Sequence, residues 1–170
     1  GSVGDYDLIL ASGGQGNDKV FMNGTRIAGT AGAVAIRGEL KGGVGNDELV
    51  GGSEGDEILG ESGDDELGGF DGNDLIFGGT GNDCITGGDD DDDLFGELGT
   101  DTIYGGDGAD LIDGGEDSDV LAGGDGADVI WARGGNDYVA GGGGSDTISG
   151  GTGNDFIWGD LNFVLDADCN

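Results

Sequence analysis

Residues 42–50 read Gly-Gly-Val-Gly-Asn-Asp-Glu-Leu-Val, and twelve further nine-residue units follow without a gap up to Trp158. The sixth positions of the thirteen units are Asp47, Asp56, Asp65, Asp74, Asp83, Asp92, Asp101, Asp110, Asp119, Asp128, Asp137, Asp146 and Asp155. The eighth positions are Leu49, Ile58, Leu67, Ile76, Ile85, Leu94, Ile103, Ile112, Leu121, Ile130, Val139, Ile148 and Ile157. A unit that recurs at a fixed short period indicates a solenoid, in which each repeat stacks on its neighbours.

The pattern within one repeat predicts a turn followed by a short strand. Glycine is frequent at positions one and four, where it supplies the backbone freedom that consecutive tight turns require. Positions seven to nine suit a strand, and the strand period of two directs the aliphatic eighth residue inward. Two repeats therefore make one coil of 18 residues with two facing strands, and the protein is predicted to be all-β.

The charge of the chain is extreme and unevenly placed. Acidic residues outnumber basic ones 37 to 5, for a net charge of −32. Residues 1–41 are neutral, so the repeats carry the whole excess, with Arg133 as their one basic residue. Acidic chains of low complexity are usually disordered, but a disordered chain needs no aliphatic residue at every eighth position. The charge excludes nucleic acid as a partner, and no apolar run is long enough to span a membrane.

One aliphatic side chain per repeat makes a small core for so charged a chain, which predicts a bound cation. Carboxylate and backbone carbonyl oxygens are the ligands that Ca²⁺ prefers, whereas Mg²⁺ keeps its waters and Zn²⁺ requires Cys or His. Stacking places each turn beside the turn two repeats along. Thirteen repeats then give eleven such gaps, and we expect roughly eleven Ca²⁺ sites in the regular array.

The repeat resembles Gly-Gly-x-Gly-x-Asp-x-aliphatic-x, the unit of the RTX (repeats-in-toxin) family, or hemolysin-type calcium-binding nonapeptide repeats. The resemblance covers residues 42–158 and one separate copy at 13–21, which adds Asp18. It implies a parallel β-roll, that is, a right-handed β-solenoid with two short strands and two Ca²⁺-binding turns per coil.

The resemblance also implies a ligand set. Carbonyls of positions two and four and the aspartate of one turn meet carbonyls of positions one and three and the aspartate of the neighbouring turn. One site then combines Gly79, Gly81 and Asp83 with Gly96, Leu98 and Asp101, and a second combines Gly106, Gly108 and Asp110 with Gly123, Asp125 and Asp128. The other carbonyl candidates are Gly43, Gly45, Gly60, Gly63, Gly69, Gly72, Gly78, Gly99, Gly105, Gly124, Gly126, Gly141, Gly142, Gly144, Gly150 and Gly153.

Several repeats depart from the consensus. Position two is Glu61, Phe70, Glu97 and Arg133 in four repeats, and position four is Glu54, Asp90 and Asp117 in three. These positions require tolerance of positive φ or a close backbone approach, so we expect strained or weaker sites beside them. The turn that begins at Ala132 is the least regular, and Arg133 adds a positive charge there.

The chain divides into three parts. Residues 1–41 form irregular N-terminal coils or a cap, residues 42–158 form the thirteen-repeat roll, and residues 159–170 form a tail or cap. We interpret residues 22–41 as solenoid-like strands without metal. The two cysteines, Cys84 and Cys169, are expected to be incidental thiols.

The leading functional hypothesis is a Ca²⁺-binding module of a secreted protein, which folds on Ca²⁺ outside the cell after type I secretion. It is expected to belong to a larger parent chain and to have no catalytic activity, since the chain contains no histidine to serve as a base. One alternative is an extracellular structural or adhesion spacer, and a second is an accessory domain of a secreted enzyme.

One flat face of the roll is predicted to be the more apolar, and a partner surface is a hypothesis for it. Its outward positions, in the even-numbered repeats, are Leu59, Leu75, Phe77, Phe95, Leu111, Val129 and Trp131. The other face carries Glu48, Glu66, Thr86, Thr102, Tyr104 and Tyr138.

Overall fold

A computed structural model describes residues 9–21 and 37–159 of the protein. These residues form sixteen strands and no helix, and so contain no helix able to cross a membrane. The strands lie in two parallel sheets of eight. Sheet 1 contains β1 (Ile9–Gln15), β3 (Gly38–Val44), β5 (Glu57–Ser62), β7 (Leu75–Thr80), β9 (Asp93–Leu98), β11 (Leu111–Asp113), β13 (Val129–Trp131) and β15 (Thr147–Ser149). Sheet 2 contains β2 (Lys19–Phe21), β4 (Glu48–Val50), β6 (Glu66–Asp71), β8 (Cys84–Asp89), β10 (Thr102–Asp107), β12 (Val120–Gly126), β14 (Tyr138–Gly144) and β16 (Phe156–Trp158).

Strands that are neighbours in a sheet are 18 residues apart along the regular array. Ile58 of β5 lies opposite Ile76 of β7, and Ile103 of β10 lies opposite Leu121 of β12. The chain therefore alternates between the sheets every nine residues and returns to each after two repeats. The structure is a parallel β-solenoid of about 7 turns, which confirms the predicted fold class.

The repeat at residues 13–21 stacks directly on the repeat at 42–50. Gly14 pairs with Gly43, and Val20 pairs with Leu49, at an offset of 29 residues instead of 18. Strand β3 is the sheet 1 strand of the coil that continues into β4. Its Leu40 is fully buried, although no aspartate marks the repeat to which Leu40 belongs. The sequence assigned metal-free strands to residues 22–41, and residues 38–41 of this range lie in β3. Residues 22–36 lie outside the described residues, as do residues 160–170.

The core is the file of eighth-position side chains between the two sheets. From Leu49 to Val139 these side chains are at most 2% exposed. Ile148 is only partly buried, and Ile157 is 47% exposed. These two residues lie in the last described coil, where no later described strand covers them.

Ten of the sixteen described strands are longer than the three residues that the sequence predicts. Strand β5 runs through positions seven to nine of one repeat and positions one to three of the next, and Ser62 still lies opposite Thr80 of β7. The first three residues of a repeat were assigned to the turn because of their glycines. They pair because the backbone of the neighbouring coil lies alongside, and this pairing needs no side chain.

The outer faces of the two sheets differ. The apolar residues predicted for the outside of sheet 1 are all half-buried, and Phe77 stacks on Phe95 with ring centroids 4.9 Å apart. The more exposed aromatic residues lie at the end of sheet 2, where Tyr138 stacks on Phe156. Cys84 also lies on sheet 2 and is disulfide-bonded, so the expectation of an incidental thiol at Cys84 is wrong. The other cysteine of the sequence, Cys169, lies outside the described residues.

Candidate metal centre

The position-six aspartates form two rows, one along each edge of the solenoid. The turns from sheet 1 to sheet 2 carry Asp18, Asp47, Asp65, Asp83, Asp101, Asp119, Asp137 and Asp155, which we call row 1. The turns from sheet 2 to sheet 1 carry Asp56, Asp74, Asp92, Asp110, Asp128 and Asp146, which we call row 2. Each row lies where the strands of one sheet begin, because position six directly precedes the strand of its repeat. The fixed coil length thus stacks the aspartates one above another.

One carboxylate oxygen of each stacked aspartate is bound by the backbone of the preceding coil. The backbone N–H of Asp83 donates to Oδ1 of Asp101 at 2.8 Å, and that of Asp92 donates to Oδ1 of Asp110 at 2.9 Å. The same bond recurs along both rows, from Asp47 to Asp155 and from Asp56 to Asp146. Aspartate suits this position because its side chain is short enough to bring Oδ1 beside the next turn.

The second carboxylate oxygen is buried without a hydrogen-bond partner along most of both rows. Among the described residues this holds for Oδ2 of Asp18, Asp47, Asp65, Asp74, Asp83, Asp92, Asp101, Asp110, Asp119, Asp128 and Asp137. A buried polar atom without a partner costs about 1–3 kcal/mol, and more when it is charged. Eleven such oxygens indicate that a group outside the chain completes the structure.

Backbone carbonyls converge on the same gaps. A β-carbon built on Gly78 would lie 2.5 Å from Oδ2 of Asp83 and 2.9 Å from the carbonyl oxygen of Gly96, so these two oxygens face one space. From the other side, the carbonyl oxygen of Gly81 points at Gly99 of the next coil. The structure therefore brings carbonyls of positions one and four to the gap beside the aspartate.

The carbonyls of positions two and three also lie between the turns. The Glu97 carbonyl points at Gly115 of the next coil, and the Leu98 carbonyl accepts a hydrogen bond from the Gly81 N–H at 2.9 Å. The candidate carbonyl residues of row 1 are Gly43, Gly45, Gly60, Gly63, Gly78, Gly79, Gly81, Gly96, Leu98, Gly99, Gly150 and Gly153. Those of row 2 are Gly69, Gly72, Gly105, Gly106, Gly108, Gly123, Gly124, Asp125, Gly126, Gly141, Gly142 and Gly144.

This donor set fits Ca²⁺. It consists of carboxylate and carbonyl oxygens, and Ca²⁺ takes six to eight such ligands in flexible geometry. Within residues 9–21 and 37–159, no three side chains of His, Cys, Asp or Glu come together to hold a metal. The backbone must therefore provide most of the ligands, and the buried Oδ2 atoms provide the charge.

The turn conformation demands positive φ at positions two and four. The non-glycine residues there adopt it as the sequence predicts: Glu61, Phe70, Glu97 and Arg133 at position two have φ between 71° and 82°, and Asp90 and Asp117 at position four have 81° and 76°. Such angles cost of order 1–3 kcal/mol for a residue with a β-carbon. Glu54 does not adopt a positive φ, and its turn has a different structure.

Burial raises the pKa of the row aspartates. The pKa rises to about 7 for Asp83, to about 8 for Asp92 and to about 6 for Asp101. Loss of hydration is the main cause, because it penalises the charged carboxylate. Repulsion by neighbouring aspartates adds to it, as Asp74 and Asp110 do for Asp92, while backbone N–H groups partly oppose the rise. A divalent cation would reverse this preference and favour the ionised form.

Arg133 does not direct its charge into a gap. Its guanidinium forms an ion pair with Asp113 at 2.6 Å and lies 4.9 Å from the centre of the Trp131 ring, on the outer face of sheet 1. The positive charge that the sequence suggested for this turn is thus paired with an acid of the preceding coil. Ala132, which replaces the first glycine of the repeat, is fully buried beside the core.

Sequence reasoning missed a second polar ladder at position five. The backbone N–H of Asn82 donates to Oδ1 of Asp64 at 2.9 Å, and the backbone N–H of Thr100 donates to Oδ1 of Asn82 at 2.9 Å. Similar bonds join Asn17 to Asn46 and Asn136 to Asn154. The signal was the frequency of Asn, Asp, Ser and Thr at position five of the row 1 turns. These residues tie neighbouring turns together at the exposed edge.

Comparison with known proteins gives one result. No curated protein and no solved structure was found to match the chain. The model of the RTX calcium-binding nonapeptide repeat matches residues 41–69, 68–103, 86–121, 104–139, 113–148 and 140–162. These segments cover residues 41–162, which is more than half of the sequence, and the chain therefore belongs to the family of RTX calcium-binding nonapeptide repeats.

Proposed function

We propose that this chain is a module of a secreted protein that folds when it binds Ca²⁺ outside the cell. The observation that carries the proposal is the set of buried Oδ2 atoms, such as those of Asp83 and Asp101, that have no partner within the protein. In the folded state without metal, these carboxylates are desolvated and stacked on one another. A ligand that binds only the folded state stabilises it by mass action, and here that ligand would also relieve the repulsion.

The net charge of −32 supports the same proposal. At low Ca²⁺ the acidic repeats repel one another and the chain is expanded, which suits export through a narrow channel. At the Ca²⁺ concentration outside a cell, the ions neutralise the rows and the two sheets assemble. Such a module forms part of a larger secreted chain and has no catalytic role, because its interior is a narrow file of aliphatic side chains and it contains no histidine.

The proposal is tested by far-UV circular dichroism of the chelator-treated protein during a Ca²⁺ titration, with Mg²⁺ as the control. A steep change from coil to β structure with Ca²⁺ alone is the expected result. A full β signal in excess chelator would show that packing holds the fold without metal, and the proposal would fail.

A second candidate function is an extracellular structural or adhesion spacer. The aromatic stack of Phe77 and Phe95 on the outer face of sheet 1 favours it, because half-buried apolar residues on a flat face suit contact with a partner. A β signal that persists in chelator, together with partner binding lost on Phe95→Ser, would make this candidate the better one. An accessory domain of a secreted enzyme is a third candidate, which a catalytic domain in the parent chain would favour.

A further inference from the structure

The turn Gly51–Asp56 has a backbone unlike that of any other repeat turn that the structure describes. Positions two and four have positive φ in all the others, whereas Gly52 and Glu54 do not. The acidic residue at position four is not by itself the reason, since Asp90 and Asp117 adopt positive φ at that position. In this repeat glycine stands at position five instead of four, so the residue that most easily accepts positive φ is displaced by one.

Both carboxylate oxygens of Asp56 have partners within the protein. Oδ2 accepts a hydrogen bond from the Gly52 N–H at 2.6 Å, and Oδ1 accepts one from the Gly38 N–H at 2.5 Å. Asp74, the next aspartate of row 2, keeps a buried Oδ2 without a partner. The turn at Asp56 thus supplies, from its own backbone, the hydrogen-bond donor to Oδ2 that the turn at Asp74 lacks.

The carbonyl of Glu54 is also turned away from the gap. A β-carbon built on Gly72 of the next coil would lie 2.6 Å from the Glu54 carbonyl carbon and 2.6 Å from the Gly55 nitrogen. At the equivalent place in row 1, Gly81 instead faces the carbonyl oxygen of Gly63. The gap between Asp56 and Asp74 has therefore lost the position-four carbonyl as well as the free aspartate oxygen.

We infer that the gap between Asp56 and Asp74 holds no Ca²⁺ and that the turn Gly51–Asp56 closes on its own hydrogen bonds. The inference rests on the proposed function, since it concerns one site among those that the fold offers. The first Ca²⁺ site of row 2 is then the gap between Asp74 and Asp92.

The opposite edge shows the contrast in the same part of the fold. Gly14 and Gly16 have φ of 108° and 106°, and Asp18 has a buried Oδ2 without a partner. The Asp18 N–H donates to Oδ1 of Asp47 at 2.6 Å, as in the regular rows. The gap between Asp18 and Asp47 therefore holds an ion, although an offset of 29 residues separates its two turns.

The direct test is a crystal structure of the Ca²⁺-loaded protein with an anomalous difference map measured at a long wavelength. We expect a peak between Asp18 and Asp47 and between Asp74 and Asp92, and none between Asp56 and Asp74. A peak between Asp56 and Asp74 would overturn the inference and leave the proposed function intact. A map without a peak in any gap would overturn the proposed function.

A variant tests the cause. Glu54→Gly combined with Gly55→Asn restores the consensus turn, and native mass spectrometry at saturating Ca²⁺ should count one more ion than in the unchanged protein. The control is Asp117→Gly, which makes the same kind of change at a position four that already has positive φ, and its ion count should not change. An equal count in the double variant and the unchanged protein would show that residues 54 and 55 do not close this gap.

Discussion

At the scale of single residues, each row aspartate serves two gaps. Oδ1 of Asp101 accepts the Asp83 N–H in the gap before it, while Oδ2 of Asp101 lies buried in the gap after it. One carboxylate therefore connects two neighbouring metal positions. Loss of a single aspartate is expected to weaken both positions, which a residue on an outer face does not do.

Asp101→Ala is predicted to shift the Ca²⁺-induced folding transition to higher Ca²⁺ and to cost about 3 kcal/mol or more, because it removes charge from two gaps and leaves a backbone N–H unpaired. The matched change is Tyr104→Ala in the same repeat, at a half-buried outer position, for which we expect about 1 kcal/mol. Circular dichroism titrations of the two variants give both transitions. Equal shifts would contradict the assignment of Asp101 as a ligand.

Gly99→Ala is predicted to destabilise the Ca²⁺-bound protein by roughly 2–4 kcal/mol. Gly99 has a φ of 127°, and an added methyl group would meet the carbonyl oxygen of Gly81, which is itself a candidate ligand. Gly68→Ala is the control, because its methyl group would meet only the Phe70 ring, at 3.7 Å. Thermal unfolding at saturating Ca²⁺ compares the two, and a similar melting temperature for both variants would refute the close approach.

At the scale of the elements, a row of turns is stabilised by stacking more than by any single turn. The position-six ladder joins each turn to the next through N–H to Oδ1 bonds, and the position-five ladder joins the row 1 turns a second time. The strands on either side keep the 18-residue offset that these ladders require. Strands and turns therefore enforce the same register.

The metal-free fold is predicted to lose stability as the pH rises from about 6 to about 8, which favours expansion of the metal-free chain at neutral pH. Burial raises the pKa of Asp83 to about 7 and of Asp92 to about 8, whereas an unfolded aspartate has a pKa of about 3.9. The metal-free fold thus holds more protons than the unfolded chain above pH 4. Its stability falls as the pH rises through the folded pKa values. Ca²⁺ competes with these protons.

The measurement is far-UV circular dichroism of the protein in excess chelator at pH 5, 6, 7 and 8. The β signal of the metal-free chain should be largest near pH 5 and should decline by pH 8, as the buried carboxylates of the folded state ionise. A metal-free β signal that does not decline between pH 5 and pH 8 would mean that ionisation of the row aspartates does not destabilise the fold.

The sequence predicted the regular elements well, and it failed where tertiary contacts decide the outcome. The aliphatic residue at position eight placed Ile58, Ile76 and Ile103 in the core because a strand has only two faces. The sequence places the start of the array at Gly42 because residues 33–41 lack the aspartate that marks a repeat, yet Leu40 lies nine residues before Leu49 and is also in the core. The period also does not show that Asp56 binds Gly52, because that bond depends on the φ angles of one turn.

At the scale of the whole molecule, the solenoid is a short rod whose two edges carry nearly all of its buried charge. Eight strands stacked about 4.8 Å apart give a rod roughly 34 Å long. The core is less well covered at both ends of the described rod: Val20 in the first described coil is partly buried, and Ile157 in the last described strand is 47% exposed.

Removal of Ca²⁺ is predicted to expand the molecule more than twofold. A folded chain of this length has a radius of gyration of about 15–20 Å, and an unfolded one of about 40 Å. Small-angle X-ray scattering with Ca²⁺, with chelator, and with chelator plus Mg²⁺ measures the change. A compact particle in chelator would show that the charge of −32 does not by itself expand the metal-free chain.

The coil of two nonapeptides also restricts how such a chain can change its length. Removal of one repeat, such as residues 87–95, would pass every later strand to the opposite sheet, so that Phe77 would be followed in its sheet by Tyr104 and no longer by Phe95. The turns of row 1 and row 2 would exchange edges at that point. The outer face of each sheet would then combine residues that now lie on different sheets. Insertions and deletions should therefore be tolerated in whole coils of 18 residues.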